Sequence, residues 1–498
     1  MTFTLPPTSS NPSFTPSSHP SSSPSSDPSP TPERAPRLTV IGTGYLGATH
    51  AVSMAFLGYE VLGVDIDPRK IALLNEGTVP FFEPGLPEKL EEALASGRLR
   101  FTTDLDEAAE FGDVHFVCVG TPQKLGSEAA DLRFVDSAFT ELASRITRKV
   151  LLVGKSTVPI GTAERLTALV QQISPLGAEL EVAWNPEFLR EGFAVQDTLH
   201  PDRLVFGVSS PWAEDRLRAA FEPILAEGTP LIVTDLATAE LVKSAANSFL
   251  ATKISYINAM SEVCEATGAD VTQLAEALGL DDRIGSKFLK PGLGFGGGCL
   301  PKDIRSFKHR AEELGIGAAV AFLGEVDAIN IRRRLRTVAL IRQVAGGDLT
   351  GVRVAALGAA FKPDSDDVRD APALDVARML YLEGAVVSVY DPEAAVNAHR
   401  VYPDLEYASS LDQALADADV TVLLTEWEEF RTADPVEMGA RVRSRTVVDT
   451  RNALNPDRYR AAGWDYWALG RPHTAPVPVS NRSESVLATL DKSADLPC

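Results

Sequence analysis

The order of apolar and polar positions in residues 37–233 predicts a parallel α/β domain. It starts with RLTVIGTGYLGATHAVSMAFLGYEVLGVDID, where an apolar run, a helical pattern and a second apolar run form a βαβ unit. The runs DVHFVCVGTP, KVLLVGKST and EVAWNPEFL follow, and each ends in small or polar residues, which is typical of buried strands in a parallel sheet. Because ligands bind at the carboxyl edge of such a sheet, we expect Thr121 and Glu187 to lie at that edge.

From about residue 234 the apolar period becomes helical, and it returns to the strand type at Val352. The stretch DLATAELVKSAANSFLATKISYINAMSEVCEATG predicts one long helix, and a second helical region extends to about Val344. The later runs VRVAALGAAF, AVVSVYDP, DVTVLLTEW and RTVVDTR repeat the first unit, with Gly358 as its one remaining glycine and Asp391 after its strand as Asp65 is. The predicted fold class is α/β, with two Rossmann-like doubly wound domains joined by a helical central domain.

Composition separates both ends of the chain from these domains. Residues 1–36 are dominated by Ser, Pro and Thr, which predicts a disordered tail. Residues 472–498 revert to Pro, Ser and polar residues and are predicted to form a flexible tail. The predicted domains are therefore 37–233 for the first Rossmann-like unit, 234–347 for the helical centre and 348–471 for the second Rossmann-like unit.

The charge and the cysteines narrow the class of function. A formal net charge of -21 over 498 residues argues against broad binding to nucleic acid or to an anionic membrane, because both need basic patches. No run of about 18 apolar residues is present to span a bilayer, and the N-terminus lacks a basic-then-apolar signal. The 4 cysteines lie too far apart for a zinc site and are too few for a disulfide framework. We therefore expect no metal and a location in the reducing cytoplasm.

The glycines of the first βαβ unit predict a dinucleotide site. Gly42, Gly44 and Gly47 follow the first strand and open the helix, where they permit a tight turn, close approach of a pyrophosphate and packing of the helix on the strand. Asp65 ends the second strand, where a carboxylate binds the ribose hydroxyls and repels a 2′-phosphate. The pattern predicts NAD rather than NADP as the cofactor.

The stretch PGLGFGGGCLPKD, residues 291–303, delivers a single cysteine to the start of a predicted helix. Pro301 suits the first turn of that helix. Cys299 is therefore expected at the helix N-terminus, where the helix dipole and Lys302 would lower the pKa of its thiol and favour the nucleophilic thiolate. The alternative is that Cys299 is a small buried apolar residue, which is the state expected for Cys264 on the long helix.

Two pairs of polar residues accompany this cysteine in other motifs. Lys243 and Asn247 are four residues apart on the long helix and so share a face, either as functional groups or as a solvated pair. Glu187 and Glu191 in NPEFLREG are either functional or simply acids at a helix start. The sequence alone leaves both alternatives open.

The second Rossmann-like unit has its own candidate ligand groups. Lys362 and Arg451 lie at predicted strand ends, where a diphosphate would need cations. A second nucleotide-like ligand is the sharper prediction for this unit, and an inert duplicated domain is the alternative.

The motifs NPEFLREG, ELVKSAAN and GFGGGCLPKD occur in this order between two Rossmann-like halves, and together they resemble the UDP-glucose 6-dehydrogenase family of nucleotide-sugar dehydrogenases. The resemblance covers residues 37–470. It implies that the C6 hydroxyl of UDP-glucose is oxidised to the carboxylate of UDP-glucuronate with two NAD, by a homodimer or a higher homo-oligomer.

The resemblance also implies a role for each motif residue. Cys299 corresponds to the nucleophile, Lys243 and Asp303 to polar catalysts, Asn247 to a ligand of the reacting oxygen, and Glu187 to a helper in hydrolysis. The other family contacts correspond, for the cofactor, to Lys70, Thr121, Lys302 and Arg369 and, for the substrate, to Glu187, Glu191, Lys243, Asn247, Phe288, Leu289, Lys290, Gly296, Lys362 and Arg451.

Two further correspondences concern the catalytic water and a neighbouring subunit. Thr121 matches the family's catalytic-site threonine, which lies beside a bound water. Arg283 matches an arginine that reaches the sugar nucleotide from the partner subunit. The resemblance therefore implies that two subunits share each site.

These residues suit a covalent four-electron oxidation. After a first hydride transfer, the Cys299 thiolate would attack the aldehyde to give a thiohemiacetal, and a second transfer would give a thioester. Lys243 and Asn247 would stabilise the oxyanion, and Asp303 would accept the alcohol proton through water. Either Glu187 or Asp303 would activate the water that hydrolyses the thioester.

The chain departs from the family pattern beside the cysteine, and three other functions compete with the first. Many relatives read GGSCF, whereas Gly298 and Leu300 flank Cys299 here. GDP-mannose 6-dehydrogenase shares the chemistry and the cysteine motif, and UDP-N-acetylmannosamine dehydrogenase typically carries a histidine where Gly298 stands. A catalytically silent nucleotide-binding scaffold is the alternative from another class.

Overall fold

The computed structural model of the chain describes residues 34–473, of which those from Pro36 onward form one compact unit. Except for residues 34–36 and 472–473, the tails predicted at 1–36 and 472–498 lie outside the described residues. Among the residues that the structure describes, no helix is long and apolar enough to cross a membrane.

The first sheet has eight strands in the order β3-β2-β1-β4-β5-β6-β7-β8. Every neighbouring pair is parallel except the pair formed by the sixth and seventh strands, which meet antiparallel at Trp184 and Gly207. The strands are β1 (Leu38–Ile41), β2 (Val61–Val64), β3 (Leu99–Thr102), β4 (Val114–Val117), β5 (Leu151–Gly154), β6 (Glu181–Trp184), β7 (Leu204–Gly207) and β8 (Leu231–Thr234).

Helices cover both faces of this sheet because its strands are apolar on both sides. Val40 and Phe116 pack into the cluster on one face, whereas Leu62 and Val117 pack into the cluster on the other. The helices are α1 (Tyr45–Phe56), α2 (Pro68–Asn75), α3 (Leu86–Ala95), α4 (Leu105–Phe111), α5 (Arg133–Ala143), α6 (Thr162–Ile173), α7 (Ala194–Leu199), α8 (Pro211–Ala220) and α9 (Glu222–Ala226).

The central region is helical, as the change of period predicts. Its first helix begins where Asp235 accepts a hydrogen bond from the backbone N–H of Thr238 at 2.7 Å, and it ends at Gly268, which has a φ of 76°. Ile304, Leu323 and further apolar side chains pack the helices together. The helices are α10 (Leu236–Thr267), α11 (Val271–Gly279), α12 (Leu300–Glu313) and α13 (Phe322–Val344).

The second sheet has six parallel strands in the order β11-β10-β9-β12-β13-β14, which repeats the order of the first six strands of the first sheet. The two doubly wound sheets and the helical centre confirm the predicted fold class. The strands are β9 (Arg353–Leu357), β10 (Val386–Tyr390), β11 (Glu406–Tyr407), β12 (Val420–Leu423), β13 (Thr446–Asp449) and β14 (Asp465–Ala468). The helices are α14 (Pro372–Leu382), α15 (Ala395–Val401), α16 (Leu411–Leu415), α17 (Glu428–Thr432), α18 (Pro435–Gly439) and α19 (Pro456–Ala461).

Asp391 follows β10 as predicted, but its carboxylate is engaged by the protein itself. One oxygen accepts hydrogen bonds from the backbone N–H groups of Ala359 and Ala360 at 2.7 and 2.9 Å and from the indole N–H of Trp427 at 3.0 Å. The other oxygen accepts from two more backbone N–H groups. Asp391 therefore fixes the turn after β9.

Candidate active site

A cleft opens between the carboxyl edge of the first sheet and the central helices. Thr121 after β4 and Thr157 after β5 line one wall. Ser244 of α10 and Lys302 and Asp303 of α12 line the other. The predicted position of Thr121 at the working edge of the sheet is confirmed, and its hydroxyl donates to the carbonyl of Thr157 at 2.8 Å.

Cys299 lies at the N-cap of α12 and is exposed, and its carbonyl accepts a hydrogen bond at 3.0 Å from the backbone N–H of Asp303, which lines the cleft. Pro301 occupies the first turn of the helix, as the sequence predicts. The alternative of a buried apolar cysteine is therefore wrong for Cys299, whereas Cys264 is buried in the core as expected.

The glycine run before Cys299 is needed because neighbouring side chains occupy the space around it. At Gly294 the φ is +110°, and a Cβ would lie 2.4 Å from Oδ1 of Asn330. The same amide holds Phe295 on both sides, accepting from its N–H at 2.8 Å and donating to its C=O at 2.9 Å. At Gly297, with a φ of +83°, a Cβ would lie 2.8 Å from the ring of Phe361. The close packing fixes the path of the loop that carries the thiol.

The thiol of Cys299 has a raised pKa, which contradicts the expectation that the helix start and Lys302 would lower it. Desolvation by the walls of the cleft and the carboxylates of Asp303 and Glu187 raise the pKa to about 12, against the opposing effect of Lys243 and Lys302. The exposed surface of Cys299 admits water that tempers the desolvation, but both carboxylates act in the same direction. The raised pKa favours the protonated thiol.

Two buried polar pairs flank the cysteine. The ammonium of Lys243 lies 2.9 Å from a carboxylate oxygen of Glu187. One turn further along α10, the amide of Asn247 donates to the carboxylate of Asp303 at 2.7 Å, and Lys302 bonds the other oxygen of that carboxylate. Lys243 and Asn247 thus share a face, as predicted, and that face points into the site rather than to solvent.

Lys243 keeps its positive charge although it is buried. Burial opposes the charge, but the carboxylates of Glu187 and Asp303 favour it, and the pKa of Lys243 is raised above its usual value. A fixed cation is therefore present beside the sulfur, where a negative oxygen would develop during attack on a carbonyl.

A third polar group, behind the cysteine, joins the first sheet to the second. Glu191 is buried; one oxygen accepts from Arg369 at 3.3 Å and the other from the hydroxyl of Ser365 at 3.2 Å. Its backbone carbonyl accepts from the ammonium of Lys362. Burial and the charge of Asp367 raise the pKa of Glu191, and burial lowers the pKa of Lys362. The acids of NPEFLREG are thus buried members of the site.

Arg369 lies over the residue that precedes the cysteine. A Cβ at Gly298 would lie 2.2 Å from the guanidinium carbon of Arg369. The guanidinium is held by Asp367, at 2.7 Å. The departure from the GGSCF pattern at Gly298 therefore leaves room for an arginine beside the thiol.

The predicted dinucleotide site has the shape that NAD requires. Gly42 has a φ of +90°, and a Cβ at Gly47 would lie 1.8 Å from the carbonyl oxygen of Gly42. A Cβ at Gly44 would meet nothing within 4 Å, so this glycine faces open space at the N-terminus of α1. Asp65 accepts from the backbone N–H of Thr43 at 2.9 Å at the same edge of the sheet. These residues fit the pyrophosphate and the ribose of NAD.

Lys70 lies beside this edge of the sheet. Its ammonium forms an ion pair with the carboxylate of Asp65 at 2.7 Å. The predicted cofactor contacts Lys70 and Asp65 are thus neighbours in the structure.

Two of the predicted substrate contacts, Arg451 and Gly296, lie where the second half of the chain packs on the glycine run. Arg451 is buried and donates to the carbonyl oxygens of Leu424 at 2.6 Å and Gly294 at 3.1 Å. A Cβ at Gly296 would lie 2.3 Å from the carbonyl oxygen of Asp370, so this glycine allows the loop to pack on the second half.

The segment before the glycine run contributes mainly backbone. Phe288 has a φ of 63°, which is uncommon for a residue with a side chain. The side chain of Leu289 is buried in a hydrophobic cluster, so a ligand there would meet only its backbone. Lys290 is exposed, and Arg283 extends into solvent, bound only to Asp281 at 2.6 Å.

The sequence reasoning missed Lys155 and Thr157, which follow β5. Thr157 lines the cleft opposite Asp303, and Lys155 is buried behind Glu187 with its ammonium 2.7 Å from Oδ1 of Asn185. The available signal was the polar end of the run KVLLVGKST, because polar residues after a buried parallel strand lie at the ligand edge of the sheet.

Comparison with known families finds three adjacent matches that cover most of the chain. The profile of the UDP-glucose/GDP-mannose dehydrogenase family, NAD binding domain, matches residues 36–225. The central domain of the same family matches residues 237–332, and its UDP binding domain matches residues 355–456. The matches follow one another in the order of the first sheet, the helical centre and the second sheet.

Individual proteins give the same relationship. The chain is 40% identical over 438 residues to a UDP-glucose 6-dehydrogenase of Rhizobium meliloti (strain 1021), covering 88% of this chain and 100% of that one. It is 38% identical over 465 residues to the UDP-glucose 6-dehydrogenase TuaD of Bacillus subtilis (strain 168), covering 92% and 98% of the two chains. Among solved structures, a UDP-glucose dehydrogenase from Pyrobaculum islandicum superposes with a TM-score of 0.81 at 37% identity, covering 89% of this chain and 99% of that chain.

Proposed function

The chain belongs to the UDP-glucose/GDP-mannose dehydrogenase family, and on that premise we propose that it is an NAD-dependent enzyme that oxidises UDP-glucose to UDP-glucuronate. The observation that carries the proposal is the arrangement around Cys299. An exposed thiol at a helix start lies near the charges of Lys243, Glu187 and Asp303, and Asn247 holds the Asp303 carboxylate, which borders a cleft lined by the edge of an NAD-type sheet. This set can hold an aldehyde covalently between two oxidations.

Gly42, Gly44, Gly47 and Asp65 would hold NAD, and two molecules of NAD in succession would supply the hydride acceptor for the two oxidations. The residues of the chain do the remaining work. Asp303 takes the proton of the substrate hydroxyl through water, because Asn247 and Lys302 hold its carboxylate toward the cleft.

Cys299 and Lys243 act in the covalent step. The thiol attacks the aldehyde carbon as its proton passes to a neighbouring carboxylate, since the raised pKa keeps the resting sulfur protonated. The ammonium of Lys243 and the amide of Asn247 stabilise the resulting oxyanion, an interaction worth about 3 kcal/mol per donor. After the second oxidation the carbon is held as a thioester.

Hydrolysis of the thioester requires a base for water. We assign this role to Glu187, because its carboxylate lies 2.9 Å from the ammonium of Lys243, which holds it beside the reacting groups. Thr121 borders the same cleft and supports a water there. Asp303 is the alternative base.

The sugar nucleotide binds between the two sheets. Lys362 and Arg451 supply positive charge on the side of the second sheet, near Glu191 and the glycine run. The backbone from Phe288 to Lys290 and the loop at Gly296 complete the proposed substrate contacts.

We also propose that the enzyme is a homodimer. Phe249, Tyr256 and Val263 recur at seven-residue intervals along α10 and are 66%, 49% and 51% exposed, which forms an apolar stripe that a second copy would cover. The exposed Arg283 side chain is then free to enter the partner's site.

We assign the enzyme to a reducing compartment, the cytoplasm. Cys118, Cys264 and Cys299 are all free thiols in the part of the chain that the structure describes. A reactive Cys299 thiol is preserved where disulfides do not form.

Two other functions remain as outcomes of the same experiment. The full-length protein is incubated with NAD and with UDP-glucose, GDP-mannose or other UDP-sugars, and NADH absorbance is followed. UDP-glucose should yield two NADH per molecule and no free aldehyde. Preference for GDP-mannose would identify the GDP-mannose enzyme, and NAD binding without NADH from any sugar would identify a silent scaffold.

A further inference from the structure

One buried lysine near the site has no role in the mechanism described above. Lys155 follows β5, and its side chain is only 6% exposed. Its ammonium lies 5.8 Å from the centre of the Phe116 ring and 5.5 Å from that of Phe221. No carboxylate among residues 34–473 lies within ion-pair distance of it. A buried ammonium without an ion-pair partner costs stability, so packing alone does not explain it.

The hydrogen bond made by the Lys155 ammonium links it to the motif that carries Glu187. The ammonium donates to Oδ1 of Asn185 at 2.7 Å. The amide nitrogen of Asn185 donates to the carbonyl of Val205 at 3.0 Å, and its backbone N–H donates to that of Gly154 at 2.8 Å. Because the ammonium faces the side-chain oxygen of Asn185, the carboxamide has one orientation. This orientation fixes the backbone two residues before Glu187.

The charge of Lys155 also faces the catalytic groups. Glu187 and the Cys118 thiol favour its protonated form, and Lys243 opposes it; burial is the strongest influence and lowers the pKa of Lys155 to about 8. On the opposite side is His50 of α1, whose pKa burial and the charge of Lys155 lower well below the usual value. His50 is therefore neutral, whereas Lys155 and Lys243 are both cations that interact with the carboxylate of Glu187.

We propose that Lys155 is a positioning residue for the reaction: its ammonium locks the Asn185 carboxamide and places a positive charge near Glu187, so that the base is set beside Lys243. The inference rests on the proposed function. Lys155 touches neither the sulfur nor the cleft, and it acts through Asn185 and through its charge.

The proposal has a consequence for pH. Lys155 carries its proton below pH 8 and loses it as the pH rises above that value. Turnover should therefore fall at alkaline pH as the lock on Asn185 is released. Stability moves the opposite way: between the folded pKa near 8 and the unfolded value of 10.5 the unfolded chain binds more protons, so stability rises with pH.

The experiment uses four forms of the full-length protein: the wild type, Lys155→Met, Lys155→Arg and the control Lys149→Met. Lys149 lies before the same strand, is 45% exposed and pairs with Glu181 at 3.5 Å, so its removal leaves Asn185 untouched. NADH production from UDP-glucose is measured across the alkaline range, together with thermal melting and the intact mass of enzyme quenched at steady state.

Lys155→Met should lower kcat about 10- to 100-fold with little change in KM, should abolish the alkaline fall, and should accumulate enzyme carrying the UDP-glucuronyl mass on Cys299. Its melting temperature at neutral pH should not be lower than that of the wild type, because a buried charge is removed. Lys155→Arg should retain turnover and move the alkaline fall to higher pH.

The outcomes separate this inference from the proposed function. No NADH from the wild type with UDP-glucose would refute the proposed function itself. An active wild type together with a folded Lys155→Met variant of unchanged kcat and unchanged pH profile overturns the role of Lys155. Should Lys155→Met not fold, Lys155→Arg decides alone, and an alkaline fall at the wild-type pH overturns the inference.

Discussion

Replacing Lys243 by methionine removes the one buried cation that faces both the sulfur and the developing oxyanion. Lys243 pairs with Glu187 at 2.9 Å and is one of the cations that lower the pKa of Cys299. Methionine keeps most of the packing of the side chain and removes the charge. The substitution therefore tests the electrostatic part of the mechanism.

The expected loss follows from that arrangement. One oxyanion donor contributes about 3 kcal/mol, and each 1.36 kcal/mol is a factor of ten in rate, so kcat should fall roughly 100- to 1,000-fold. The pKa of Cys299 should also rise further, which slows alkylation of this cysteine by iodoacetamide at a fixed pH. NADH production and mass-spectrometric alkylation of the Cys299 peptide measure the two effects.

Two controls separate charge from stability. Lys253 lies on the same helix, and its ammonium donates to the carbonyl of Ile284 at 2.9 Å. The control variant Lys253→Met should therefore retain activity. Breaking a buried ion pair destabilises proteins by about 3–5 kcal/mol, so Lys243→Met/Glu187→Gln should recover melting temperature but not activity. A folded Lys243→Met variant with near-normal kcat and unchanged alkylation would refute the assigned role.

Four further predictions concern other parts of the chain. Asp65→Ala should narrow the preference for NAD over NADP in steady-state assays, and equal use of both cofactors by the wild type would contradict the NAD prediction. Cys299→Ser should still bind UDP-glucose. Either its turnover should fall by orders of magnitude, or intact-mass measurement should show a sugar nucleotide attached to the serine. Near-normal turnover would exclude Cys299 as the nucleophile. Mixed Arg283→Ala and Cys299→Ala subunits should regain activity that neither shows alone; verified mixed dimers without activity would count against a shared site. Gly294→Ala places a Cβ against Asn330 at a φ of +110°, so the free energy of unfolding measured by calorimetry should fall by about 1–3 kcal/mol. An unchanged melting curve would contradict this prediction.

Features that depend on short stretches of sequence were predictable. The βαβ unit is predicted from periodicity and glycine spacing, since the tight turn at Gly42 and the packing of Gly47 are local requirements. The shared face of Lys243 and Asn247 follows from helix geometry alone. The start of α12 at Cys299 follows from Pro301.

Features that depend on packing were not predictable. The raised pKa of Cys299 is a sum over cleft walls and the carboxylates of Asp303 and Glu187, which come from different elements. Lys155 reads in sequence as an ordinary lysine after a strand, and only the sheet reveals that it is buried against Asn185. The contacts of Arg451 with the carbonyl oxygens of Leu424 and Gly294 likewise join segments that are distant in the sequence.

The contacts that hold the glycine run limit which parts of this enzyme can be exchanged with those of a relative. Arg451 and Phe361, both from the second half, touch the loop at Gly294 and Gly297. The half that is proposed to bind the nucleotide sugar is therefore also part of the scaffold of the nucleophile. A chimera that takes residues 348–471 from another enzyme would keep an ordered thiol only if the donor protein had the same contacts at Gly294 and Gly297. Transfer of substrate specificity therefore requires the glycine run to be exchanged together with residues 348–471.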